Sequence, residues 1–204
     1  MSNNIILTVV GLVLSVSALS AQTAEAWIEA LDKSLGERYA MTAEVQVDID
    51  GAQDSLDALF MVEGDSYYLT LGVMEVFSDG KLRYEVNNER KEATIDKVDL
   101  ASHDILSNPT RAFRFAAEDF YSSVVAERGA EVVLSLVPRE DIGITDIELT
   151  LRRQSNGGVA PVAVKYNYDG DIVRVMLSLK ADGEAPLPRW DKTKYRAYDI
   201  VSFI

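Results

Sequence analysis

The chain has 204 residues, 48% of them hydrophobic, with no cysteine and a formal net charge of −13 from 20 Lys and Arg against 33 Asp and Glu. That is enough apolar material for one domain with a full core, while the lack of cysteine excludes disulfides, thiol nucleophiles, thiolate metal sites and a lipidated N-terminal cysteine. The acidity argues against a nucleic-acid partner and against docking on an anionic membrane surface, since both ask for clustered positive charge.

In chain order, residues 1–21 read as a secretory signal. An apolar run from Ile5 to about Leu14 is short for a membrane span and is followed by the small residues Ser17, Ala18, Ser20 and Ala21, although no Lys or Arg precedes it. Cleavage is expected near residues 20–22, leaving one exported domain over 22–204; the alternative for this run is a short membrane anchor. Thr23 can then cap a helix running to about Leu35, with Ala24, Trp27, Ile28, Leu31 and Leu35 on one stripe and Gly36 as its stop.

Strands come next. Residues 41–49 alternate, and residues 56–62 put Leu56, Ala58, Phe60 and Val62 on one face. Residues 66–71 lead into the stretch 73–95, where Asp79-Gly80 and Asn87-Asn88 each predict a tight reversal between antiparallel strands. On the middle strand of that stretch Leu82, Tyr84 and Val86 share a dry face, and Lys81, Arg83 and Glu85 a wet one.

The β pattern then breaks. A short apolar-polar segment reaches Leu106, and Asn108-Pro109 is a strong helix start, predicting a helix over about 109–117 with Phe113 and, just beyond it, Phe120 near one face. Alternation resumes over 121–127, 131–137, 144–151, 162–168 and 172–179, which brings in Leu134, Leu149 and Tyr166, and a last strand is expected over 197–203. The fold class is mainly β with α: a long antiparallel meander, an N-terminal helix and short helical pieces between its two halves.

No pattern points to catalysis, to a cofactor or to a metal. His103 is the single histidine, without a nucleophile elbow, a phosphate loop or a second ligand at metal spacing. The stretch Asp48-Ile-Asp-Gly-Ala-Gln-Asp54 echoes a calcium loop but lacks the closing bidentate glutamate, so a hairpin tip is the better reading. Glu118 and Asp119 are neighbours whose side chains point apart in a strand. The aromatic set Phe60, Tyr84, Phe113, Phe120, Tyr166 and Tyr168 suits either an apolar cavity or an ordinary core.

Several local stretches, in order, resemble the LolA-like family of periplasmic outer-membrane lipoprotein carriers. They are Val76-Phe-Ser-Asp-Gly-Lys-Leu-Arg-Tyr84, Asn88-Glu89, Asn108-Pro109 followed by Phe113 and Asp119-Phe120, and Trp190-Asp191 with Lys194-Tyr195 and Tyr198-Asp-Ile-Val-Ser-Phe203. The resemblance covers roughly 24–204. It implies an incomplete antiparallel β-barrel covered by an N-terminal helix and short lid helices, with a hydrophobic cavity for acyl chains. Cavity and lid residues would be Phe60, Val62, Leu82, Tyr84, Leu106, Phe113, Phe120, Leu134, Leu149 and Tyr166. It further implies a monomeric, non-catalytic chaperone of the periplasm whose partners are acylated lipoproteins, an inner-membrane exporter and an outer-membrane acceptor. The alternative is a lipid- or lipoprotein-sensing module of the same fold in envelope signalling. The chain differs from the family where Glu63-Gly64 replaces a basic residue and proline, where Arg83 stands for an aromatic, and at Ile204; that basic residue's role is not carried over.

Overall fold

The computed structural model describes residues 22–49, 52–99, 110, 118–140, 142–180 and 185–204. The expected signal segment and the helix predicted over 109–117 (Thr110 apart) lie outside the described residues.

Helix α1 spans Ala24–Leu35 and buries the stripe that its spacing predicts, Ala24, Trp27, Ile28, Leu31 and Leu35. Thr23 holds an extended backbone and its hydroxyl accepts from the Ala26 N–H at 3.2 Å, while Gly36 turns the chain out at φ 64° and donates to the Asp32 carbonyl.

Among the described residues twelve strands follow: β1 (Arg38–Ile49), β2 (Ala52–Glu63), β3 (Ser66–Leu71), β4 (Met74–Ser78), β5 (Leu82–Asn87), β6 (Glu92–Lys97), β7 (Phe120–Arg128), β8 (Glu131–Pro138), β9 (Ile144–Arg153), β10 (Val159–Tyr168), β11 (Asp171–Leu179) and β12 (Asp199–Ser202). They form one sheet in the order β12-β6-β5-β4-β3-β2-β1-β11-β10-β9-β8-β7. Two meanders, β1–β6 and β7–β11, are joined where β1 pairs with β11. The sheet stays open, with β7 and β12 as its edges. It is an incomplete barrel carrying a helix.

Two local expectations are corrected. The final strand runs parallel to β6, Asp199 facing Glu92 and Ser202 facing Ile95, whereas a pure antiparallel meander was expected. A parallel neighbour needs a long crossover, and the entire second meander plus residues 185–198 supplies it. The reversals at Asp79-Gly80 and Asn87-Asn88 are not two-residue loops. Asp79 accepts from the N–H groups of Lys81 and Leu82 at 2.9 and 2.8 Å. Asn87 accepts from Glu89 and Arg90 at 3.1 and 2.9 Å, and the positive φ falls on Lys91. Side-chain acceptors build these turns, which lengthens them.

The dry side of the sheet changes at β4. We call inner the face on which α1 lies. Met41, Phe60, Leu69 and Val76 stand side by side on it across β1–β4. On β5 the register pairs Phe77 with Tyr84 and Glu75 with Val86, placing Tyr84 and Val86 on the outer face and Arg83 and Glu85 on the inner one. Strand β4 is buried from both sides, at Val76, Phe77 and Ser78.

The outer face of β3–β6 is covered by the C-terminal segment. Trp190 stacks on Tyr84 at 5.0 Å and on Tyr195 at 4.7 Å, and Phe77, Val86, Ala93 and Tyr195 form a second core there. Glu75 ties the segment down. Its carboxylate accepts from the Tyr68 hydroxyl at 3.0 Å, the Asn88 amide at 2.9 Å and the Tyr195 hydroxyl at 3.3 Å, with the Lys194 ammonium at 3.5 Å. Burial pulls the Glu75 pKa up, but the bonds from Asn88 and Tyr68 and the Lys194 charge outweigh it and hold the carboxyl below its ordinary 4.5. A lowered folded value means that this contribution is complete above 4.5 and vanishes as pH falls through the folded pKa. The melting temperature of the native protein should therefore drop on acidification below about 4.5, and Glu75→Gln should flatten part of that slope. Identical pH profiles for the two proteins would contradict the assignment.

Candidate functional site

Helix α1 is pinned over one half of the inner face. Ser34 Oγ accepts from the Val159 N–H at 2.8 Å, the Glu25 carboxylate accepts from the Ser122 hydroxyl at 3.3 Å, and Arg153 donates to the Gln22 side-chain oxygen. These bonds fix the helix to β7, β9 and β10. Beneath it the face is filled by side chains. A recess at the helix's C-terminal end, beside Leu35, Tyr39 and Val62, and another beside Ala40, Met61 and Leu187 each have room for about 10 Å³, on the scale of one water.

The apolar surface of the inner face extends across seven strands. Strand pairing brings Val124, Leu134, Leu149, Val164, Val175, Val45 and Leu56 into one continuous row from β7 to β2. At about 4.8 Å per strand the row runs for about 29 Å. A neighbouring row continues the surface, with Leu136 beside Ile147, and Tyr166, Val173 and Val47 aligned. Burial along the first row is deepest at β8–β9 and falls off on both sides, Val124 on β7 being 37% exposed. Leu134 and Leu149 are sealed, Val164, Val175 and Val45 are half-buried, and Leu56 is 42% exposed. Gly72 lets Leu56 come close, because a Cβ there would lie 2.8 Å from Leu56 Cδ1.

The first row carries no polar group, and the acids begin only at its margin, where Asp54 pairs with Val47 and Asp171 with Tyr168. On the inner face of the β3–β5 wing Arg83 forms an ion pair with Glu85 at 2.6 Å. Burial raises the Tyr67 pKa, with Arg83 opposing the shift. One end of the face is therefore polar while its middle is aliphatic.

The expected cavity residues separate into four groups. Phe60, Val62, Leu134 and Leu149 lie buried on the inner face, packed in one cluster with α1. Phe120 and Tyr166 are half-buried and pack against that cluster. Leu82 and Tyr84 are corrected: the register puts them on the outer face, Tyr84 beneath Trp190. Alternation gave their dryness but not the side on which it lies. Leu106 and Phe113 lie outside the described residues, as does His103.

Asp48 and Asp54, the ends of the calcium-like stretch, fall on opposite faces, since Asp54 pairs with Val47 and Asp48 with Gln53. They cannot share an ion. Among the described residues no group of three or more His, Asp or Glu is placed to hold a metal, and no helix is long and apolar enough to cross a membrane. Sequence reasoning missed Val45, Val164 and Val175, because it weighted aromatics. The signal that could have found them is the run of β-branched residues at every second position in β1, β10 and β11.

No family model matches the chain, and no curated protein matches it. Solved structures do. An uncharacterised conserved protein from Thermus thermophilus is similar over 88% of this chain and 98% of its own, with a TM-score of 0.50 and 11% identity. The likeness is one of fold. A LolA superfamily protein from Nitrosomonas europaea is similar over 85% of this chain and 97% of its own, at TM-score 0.41 and 10% identity. LprF from Mycobacterium bovis is similar over 80% and 94%, at TM-score 0.42 and 12% identity.

Proposed function

We propose that the inner face binds acyl chains, and that the protein is a non-catalytic carrier of acylated lipoproteins across the periplasm. The observation that carries this reading is the seven-strand aliphatic row, buried at β8–β9 and opening toward β1–β2. The stretch left open, from β10 to β2, spans three strand spacings or about 14 Å, comparable to the roughly 15 Å depth of one bilayer leaflet, half of the ~30 Å hydrocarbon core. An acyl chain laid on it would leave water at roughly 0.8 kcal/mol per methylene. The ordered sequence resemblance to LolA-like carriers supports lipoprotein as the cargo, with an inner-membrane exporter as donor and an outer-membrane acceptor.

The test is mass spectrometry of protein isolated natively from the periplasm, which should carry acylated lipoprotein or phospholipid. Val175→Thr keeps the side-chain shape while adding one hydroxyl to the middle of the row. It should weaken retention on the order of tenfold, the scale of one badly solvated polar group. Unchanged retention would move the cargo off this surface. Depletion in cells then separates carrier from sensor. Lipoproteins piling up at the inner membrane support transport, whereas normal sorting with lipid still bound supports the lipid-sensing module.

A further inference from the structure

Trp27 is 5% exposed, yet among the described residues its indole N–H has no hydrogen-bond partner. A buried donor left unmatched is costly and rare. Its polar surroundings cannot remedy this. The Arg153 guanidinium lies 4.4 Å over the ring and is itself only a donor. The Gln22 side-chain oxygen accepts from Arg153. The indole thus lies beside one donor and one oxygen already engaged by that donor, in the cluster that also contains Leu134 and Leu149.

We propose that Trp27 is a carbonyl-reading residue: its N–H donates to the carbonyl oxygen that joins an acyl chain to its ester or amide. This rests on the acyl-binding reading and names the chemistry that the face selects. A bare hydrocarbon offers the aliphatic row only van der Waals contact and leaves the indole unmatched. An acyl ester or amide carries one strong acceptor at the polar end of an otherwise apolar chain. Glycerophospholipid esters and the acyl groups of a lipoprotein's N-terminal cysteine both present this acceptor.

The experiment compares three probes on the full-length mature protein: dipalmitoyl phosphatidylethanolamine, its dihexadecyl ether analogue without carbonyls, and a triacylated cysteine peptide. The native protein should bind the ester lipid about tenfold more tightly than the ether, the scale of one buried hydrogen bond. Trp27→Phe keeps an aromatic ring and removes the N–H. It should lose that factor for at least one carbonyl-bearing probe and leave the ether lipid unaffected; the probe that loses it identifies whose carbonyl is read. Should the variant fail to fold, the indole proton resonance of the native protein gives the same answer, moving downfield with a carbonyl-bearing probe and staying in place with the ether. Equal binding of ester and ether with an unmoved indole proton would overturn the assignment while leaving acyl binding intact. Failure of all three probes to bind would overturn both.

Discussion

Replacing Leu134 by alanine should destabilise the protein by about 3–4 kcal/mol, within the range found for buried leucines. The side chain is wholly excluded from water and sits in one cluster with α1, between Val124 and Leu149 on the adjoining strands. The ladders to β7 and β9 hold the backbone on both sides, so the gap has little freedom to collapse, which keeps the cost away from the lower end of that range. Urea denaturation should show a lower midpoint with an unchanged slope. Val137 supplies the control. It lies on the same strand, on the outer face, 56% exposed, and Val137→Ala should stay within about 0.5 kcal/mol. A Leu134→Ala penalty under about 1 kcal/mol would mean that the helix rests loosely on the sheet.

That contrast within one strand shows what the sequence makes legible. Period-two alternation in β8 separates Val132, Leu134 and Leu136 from Val133, Ser135 and Val137, and the structure buries the first set. The same logic fixes α1, whose stripe, threonine cap and closing glycine all stand as expected. Alternation cannot say on which side of a sheet the dry set lies, because that depends on what later covers it. Strand β5 is the case in point: Tyr84 and Val86 are covered from outside by residues more than a hundred positions downstream. By the same inversion Arg83 and Glu85, which look like solvent residues in the sequence, stand on the inner face. The aliphatic row was equally illegible, since it exists only after the registers of six strand pairs have been set. No single strand contains it.

Trp190→Ala tests whether the two faces are energetically separate. Trp190 lies parallel to both neighbours, 10° from Tyr84 and 0° from Tyr195, with Phe77 edge-on at 6.1 Å. Truncating such a ring should cost about 3–5 kcal/mol, with the aromatic pairings included in that figure. The loss should be local. Strand β12 is four residues long and bonds only to β6, and its attachment relies on the aromatic stack and on the Lys194 and Tyr195 contacts with Glu75. Glu75 would still keep Tyr68 and Asn88, which belong to the sheet itself. Hydrogen exchange should therefore show residues 199–202 losing protection in the variant while α1 and β8 retain theirs, with the acyl binding proposed for the inner face unchanged. Loss of protection everywhere at once would show that β4, buried from both sides, couples the two cores into one cooperative unit. The C-terminal segment would then support the inner face itself and not merely cover the outer one.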